Sequence, residues 1–141
     1  MPRINTDSLT RSIDTLELAL ECLREQKPDE IMFNVYRGAC RYEFQVVIGI
    51  TSSLLRRRLM PYFAAVSQVD VMTFGRVFRE AARLHLISLD ECRRWLNYRD
   101  HQNGIAQRYG REFGEQALTM LPALVEDARR IAEVIGAETD G

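Results

Sequence analysis

The stretch Leu9-Thr10-Arg11-Ser12-Ile13-Asp14-Thr15-Leu16-Glu17-Leu18-Ala19-Leu20-Glu21-Cys22-Leu23 decides the fold class. Leu9, Ile13, Leu16, Leu20 and Leu23 recur in steps of four and three, which places them in one apolar stripe along an α-helix. Glu17, Glu21 and Glu25 follow the i, i+4 spacing of a solvated stripe on another face. Thr6 stands where it can cap the helix, and Asp7 and Asp14 lie toward its positive end. A helix with one apolar face must bury it against another element, so the rest of the chain is read for its partners.

Pro28 ends this first helix, and Asp29 and Glu30 open a second with the charge that a helix N-terminus favours. Its stripe runs through Phe33, Tyr36, Cys40, Phe44, Val47, Leu54 and Leu55, with Arg56-Arg57-Arg58 near its end and Pro61 beyond. A helix of about 30 residues is ~45 Å long, the dimension of a bundle spine. Residues 62–72 have no clear period and read as a connection. The pattern resumes from Val71 to Ile87 through Val77, Phe78, Ala81, Leu84 and Leu86. Ser88-Leu89-Asp90-Glu91 is a capping box that opens a fourth helix through Trp95, Leu96 and Tyr98, with Gly104 and Gly110 bracketing its end. A last helix runs from about Glu112 to Ile135, and Pro122 inside it is expected to kink or restart it. No strand pattern, linker or internal repeat interrupts the series. The expected fold is all-α: an antiparallel up-and-down bundle of about five helices, one domain over 1–141 with its core at about 7–135.

Composition narrows the classes further. The chain has 141 residues, with 46% hydrophobic and 28% charged residues and a net charge of -1, an ordinary globular balance. Its longest apolar run, Val46-Val47-Ile48-Gly49-Ile50, is far short of the ~20 residues that span a bilayer. Met1 to Asp7 lacks the apolar stretch of a signal peptide, so the expected location is cytoplasmic. Cys22, Cys40 and Cys92 are odd in number and widely spaced, and His85 and His101 have no second ligand at metal spacing. The expectation is buried or half-buried thiols, with no disulfide framework, metal or cofactor. Lys27 is the only lysine, so nearly all the basic charge is arginine. Genome base composition and a need for ion pairing or phosphate contact both fit that bias.

Three segments carry a resemblance. Arg37-Gly38-Ala39-Cys40-Arg41-Tyr42-Glu43-Phe44 resembles the R-x-x-x-x-R-F-E-[FY] run of HEPN domains, in particular the nucleotidyltransferase substrate-binding branch. Arg76-Val77-Phe78-Arg79-Glu80-Ala81-Ala82-Arg83-Leu84-His85-Leu86-Ile87 is similar to that branch's R-x-V-x-R-E-A-x-x-x-G-L-I helix. Trp95 then precedes a segment similar to W-x-x-x-x-x-x-R-N-x-x-x-H-x-Y. The resemblance spans about residues 7–135 and implies a dimerising antiparallel bundle. In many members it also implies a metal-independent ribonuclease, whose motif arginine stabilises a phosphorane and whose histidine takes the ribose 2′-hydroxyl proton.

At the decisive positions this sequence departs from the pattern. Asn103 and Tyr109 match, but Gln102 stands in place of the arginine and Gln107 in place of the histidine. Glutamine carries no charge and exchanges no proton near neutrality, so neither the phosphate clamp nor the acid–base role survives there. Arg99, Asp100 and His101 lie about one turn earlier, a shift of ~5 Å along the axis. They read either as a cleft that binds a nucleotide or anion or as a solvated helix end. In related toxin–antitoxin pairs the motif tyrosine receives AMP, and Tyr109 reads either as such a modification site or as a tyrosine between two helices. The resemblance thus implies a homodimeric, non-catalytic binding subunit, with a nucleotide or RNA at the dimer cleft. Its partner would be a minimal nucleotidyltransferase in a prokaryotic toxin–antitoxin-type module. The alternative is a divergent ribonuclease that uses Arg99, His101 and Tyr109 at the dimer interface.

Other arginines are weighed the same way. Arg56, Arg57 and Arg58 form either a phosphate patch or dipole compensation at a solvated helix end. Arg37 and Arg41, at i and i+4 with Glu43 nearby, are expected in ion pairs. Trp95 is expected as an anchor of the core or of a dimer interface, and His85 as a packed or half-exposed side chain.

Overall fold

The structure is a computed structural model that describes residues 3–107 and 113–137, with the side chains of 104–107 and 113–118 outside the description. The described residues form α1 (Asp7–Arg24), α2 (Ile31–Leu59), a 3₁₀ turn (Met60–Tyr62), α3 (Val66–Asp70), α4 (Phe74–Arg83), α5 (Leu89–Gln107) and α6 (Phe113–Gly136), with no strand among them. This is the all-α bundle that the periodicities predict. Among the described residues no helix is long and apolar enough to cross a membrane.

The stripe of α1 is the inner face: Leu9, Ile13, Leu16, Leu20 and Leu23 are all buried. The connection 25–30 turns the chain back, and α2 packs along α1 as the spine that also touches α4, α5 and α6. Cys40, Phe44, Val47, Ile48, Leu54, Leu55 and Leu59 supply the buried face of α2. Leu121, Leu124, Ala128, Ile131 and Ile135 close the core from α6. An aromatic row ties α4 to α5. Phe74 and Phe78 have ring centroids 4.6 Å apart, Phe78 stacks on Trp95 at 5.2 Å, and Trp95 meets Tyr98 edge-on at 5.4 Å. Trp95 is fully buried, as an anchor of the core should be.

Several local expectations need correction. Thr6 precedes α1 but makes no side-chain cap; Asn5 Oδ1 accepts the Asp7 N–H instead, at 2.8 Å. The stretch expected as a bare connection holds α3, pinned by buried Val69. The helix expected over Val71 to Ile87 is shorter, because Thr73 caps it by accepting the Arg76 N–H at 3.2 Å and a left-handed residue stops it at the other end. α5 ends at Gln107, between Gly104 and Gly110 as the sequence predicts. α6 runs as one element through Pro122, so the expected restart does not occur. The capping box is present: Glu91 N–H donates to Ser88 Oγ at 3.0 Å, and Ser88 N–H donates to Glu91 Oε1 at 3.3 Å.

Candidate functional site

The polar residues of interest sit on α5, whose first half is fixed before the candidate segment begins. Arg94 forms a fork on Asp127 of α6, with Nε to Oδ2 at 2.8 Å and Nη2 to Oδ1 at 2.9 Å. The Tyr98 hydroxyl donates to the same Oδ2 at 2.7 Å. Asp127 is 2% exposed, so its charge depends on these donors for the solvation that water would otherwise give. The hydrogen bond to Asp127 raises the Arg94 pKa further, and burial together with Asp127 pushes the Tyr98 hydroxyl well above its ordinary value. Arg130 adds longer contacts, 3.8 Å to Glu91 and 3.9 Å to Asp127. This network is structural, and the sequence reading missed it. Its signal was Asp127, an acid on the inner side of an otherwise apolar α6 stripe.

One turn on, Arg99 Nη1 donates to Gln102 Oε1 at 2.6 Å, and its guanidinium lies 5.1 Å from the centre of the Phe74 ring. The structure therefore brings Arg99 and Gln102 together. His101 and Gln102 are half-buried, whereas Asp100 and Asn103 are exposed. Arg99 and His101 are two positions apart on the helix, a rotation of ~200°, so their side chains leave from opposite sides of α5. Gln107 is the last residue of α5 and its side chain lies outside the described residues, as does the whole of Tyr109. Among the described residues no group of three His, Cys, Asp or Glu side chains is placed to hold a metal ion. An open groove lies elsewhere, between the start of α1 and the end of α6, and is lined by Thr6, Thr10, Arg129 and Glu133 among others. Arg99, Asp100, His101, Gln102 and Asn103 do not line it. Its Arg129 is already engaged by Asp14 at 2.9 Å and Glu17 at 3.1 Å.

The remaining arginine readings are also corrected by the structure. Arg58 is buried at 8% exposure, sits over the Tyr62 ring at 5.7 Å and donates to the Tyr62 hydroxyl at 3.4 Å. Arg56 donates to the Val69 carbonyl at 3.0 Å, pinning α3 to α2. Two of the three arginines thus make contacts within the fold, and all three lie in the last turn of α2, where cations suit the helix dipole. Arg37 donates to Asn34 Oδ1 at 3.0 Å rather than to a carboxylate, and its guanidinium lies over Phe33. Glu43 Oε2 is buried without a hydrogen-bond partner. Glu17, Glu21 and Glu25 are exposed, as a solvated stripe should be, and Glu17 joins Asp14 in holding α1 to Arg129 of α6. All three cysteines are free thiols; Cys40 and Cys92 are buried and Cys22 is half-buried. Compared with family models, curated proteins and solved structures, the chain has no match.

Proposed function

We propose that the protein is a non-catalytic, HEPN-like binding subunit. It acts as a homodimer in the cytoplasm and pairs with a minimal nucleotidyltransferase in a prokaryotic toxin–antitoxin-type module, where the dimer cleft holds a nucleotide or RNA. The observation that carries this reading is the state of the motif position on α5. Where the ribonuclease pattern has a cation, this chain has Gln102, whose Oε1 holds the neighbouring Arg99 by a 2.6 Å hydrogen bond. That guanidinium is further occupied by the Phe74 ring. An arginine satisfied in this way is poorly placed to clamp a phosphorane, and Gln107 offers no acid–base group. A second feature supports the resemblance itself. The glycine of the R-x-V-x-R-E-A-x-x-x-G-L-I pattern falls at His85, the residue that takes a left-handed backbone with φ 59°. Glycine is the residue that such a position favours.

The test is co-expression with a nucleotidyltransferase encoded beside this chain. The expected result is a complex stable to micromolar dilution, and its absence would count against the proposal. RNA incubated with the purified protein without added metal should stay intact. Cleavage that disappears in His101→Ala would overturn the proposal in favour of a ribonuclease. Intact-mass analysis of the co-expressed chain reads Tyr109 directly, since AMP addition shifts the mass and Tyr109→Phe abolishes the shift.

A further inference from the structure

α2 is apolar on two faces. One is the core face. The other points away from the bundle and carries Ile31, Val35, Gly38, Tyr42, Val46 and Gly49, with no charged residue among them. Ile31 is 83% exposed, Val35 53% and Tyr42 65%. The outer face of a surface helix is ordinarily its charged face. On α2 the charge is displaced to the flanks, at Arg37, Arg41 and Glu43. The two glycines add a separate oddity. Both lie inside the 29-residue helix, and a Cβ built on either meets nothing within 4 Å. Glycine is the poorest helix former after proline, and nothing within this chain calls for it at these positions. Glycine on a helix face lets another backbone approach closely.

We infer that this face of α2 is the contact surface for a second copy of the chain, with the two α2 helices antiparallel about a two-fold axis between Glu43 and Phe44. The stripe at 35, 38, 42, 45, 49 and 52 keeps the four–three spacing of a helix–helix seam. The axis maps that set onto itself. Gly38 faces Gly49 of the second copy, Tyr42 faces Gln45, and Val35 faces Ser52. The two glycine layers leave room for the exposed Tyr42 rings beside them, large against small. Charge complementarity selects the same direction. The exposed acidic turn Asp29–Glu30 at one end of the stripe lies beside exposed Arg57 of the second copy, and the match is made twice. A parallel pairing would set acid on acid and base on base. Such a contact is isologous, the commonest form of homodimer interface. It gives the dimer of the proposed function a surface, yet it rests on α2 alone and needs no nucleotidyltransferase.

Sedimentation of the purified chain tests the pairing without any other protein. The expected particle at tens of micromolar is twice the 16.3 kDa chain. Val35→Glu with Tyr42→Glu should return it to a monomer with unchanged far-ultraviolet helicity, since both side chains are exposed in the single chain. Cross-linking reads the register. Gly38→Cys with Gly49→Cys should form an intermolecular disulfide on mild oxidation. Gly38→Cys alone should not, because the two copies of residue 38 lie about 16 Å apart along the axis. A monomeric wild-type chain, a dimer that survives the double glutamate variant, a double-cysteine variant that fails to cross-link or a Gly38→Cys chain that does would each overturn the inference. A monomer that still binds a nucleotidyltransferase would remove the second copy and leave the binding partner standing.

Discussion

His85 is the only non-glycine residue with a positive φ among the described residues, at 59°. It ends α4 in a Schellman turn: Leu86 N–H donates to the Ala81 carbonyl at 2.9 Å and His85 N–H to the Ala82 carbonyl at 3.0 Å. A left-handed residue with a Cβ costs roughly 1–2 kcal/mol, and the imidazole of His85 is exposed. His85→Gly should therefore raise stability by about 1 kcal/mol after the added unfolded-state entropy of glycine, read as a higher urea midpoint at unchanged slope. Cys40 supplies a pH prediction. Burial, followed by the nearby Cys22, pushes its thiol from 9.0 up to about 11. Between those values the unfolded chain gives up a proton that the folded chain retains, so stability is full below pH 9 and falls as pH rises toward 11. The loss from this one group is at most about 3 kcal/mol. Tyr98 and Cys92, whose pKa values are also raised, contribute in the same direction. Comparing the pH slope of unfolding in the parent and in Cys40→Ala isolates the Cys40 share.

At the scale of elements, α5 and α6 are joined chiefly through one buried carboxylate. Asp127→Ala removes the acceptor of Arg94 and Tyr98 together and should cost about 2 kcal/mol, because it strands the buried Tyr98 hydroxyl while Arg94, 40% exposed, turns to water. Tyr98→Phe removes a single neutral donor and should cost about 1 kcal/mol. The double variant should cost much less than the two losses added, and thermal unfolding of the four proteins in the cycle measures the coupling. Ser88→Ala should cost about 1 kcal/mol by opening the reciprocal cap of α5. How legible each element was follows from its physics. The α1 stripe and the Ser88 capping box depend on spacing within one turn or two, so both could be read from the sequence. The start of α4 was misplaced because Val71 looks like the first member of its stripe, whereas Thr73 supplies the cap. α3 was missed because five residues show no period; it is held by Val69 in the core and by Arg56 across the connection.

For the whole molecule, the sequence by itself determined the helical class, the inward faces of α1 and α2 and the absence of a cationic and an acid–base side chain at Gln102 and Gln107. Those properties are local: a hydrophobic period fixes which face must be buried, and residue identity fixes what a side chain can ionise to. Only the tertiary structure decided what the charges do. Glu17 reaches Arg129 from 112 positions away, and Arg94 reaches Asp127 from 33. No helical spacing predicts a pairing between separate helices. Arg58 and Arg99 look alike in the sequence, as cations toward the end of a helix. In the fold one is buried against Tyr62 and the other lies over Phe74, because each ring comes from a different element. The same holds for the outer stripe of α2. Its glycines are ordinary letters in the sequence, and they stand out only once packing shows that the opposite face is already full.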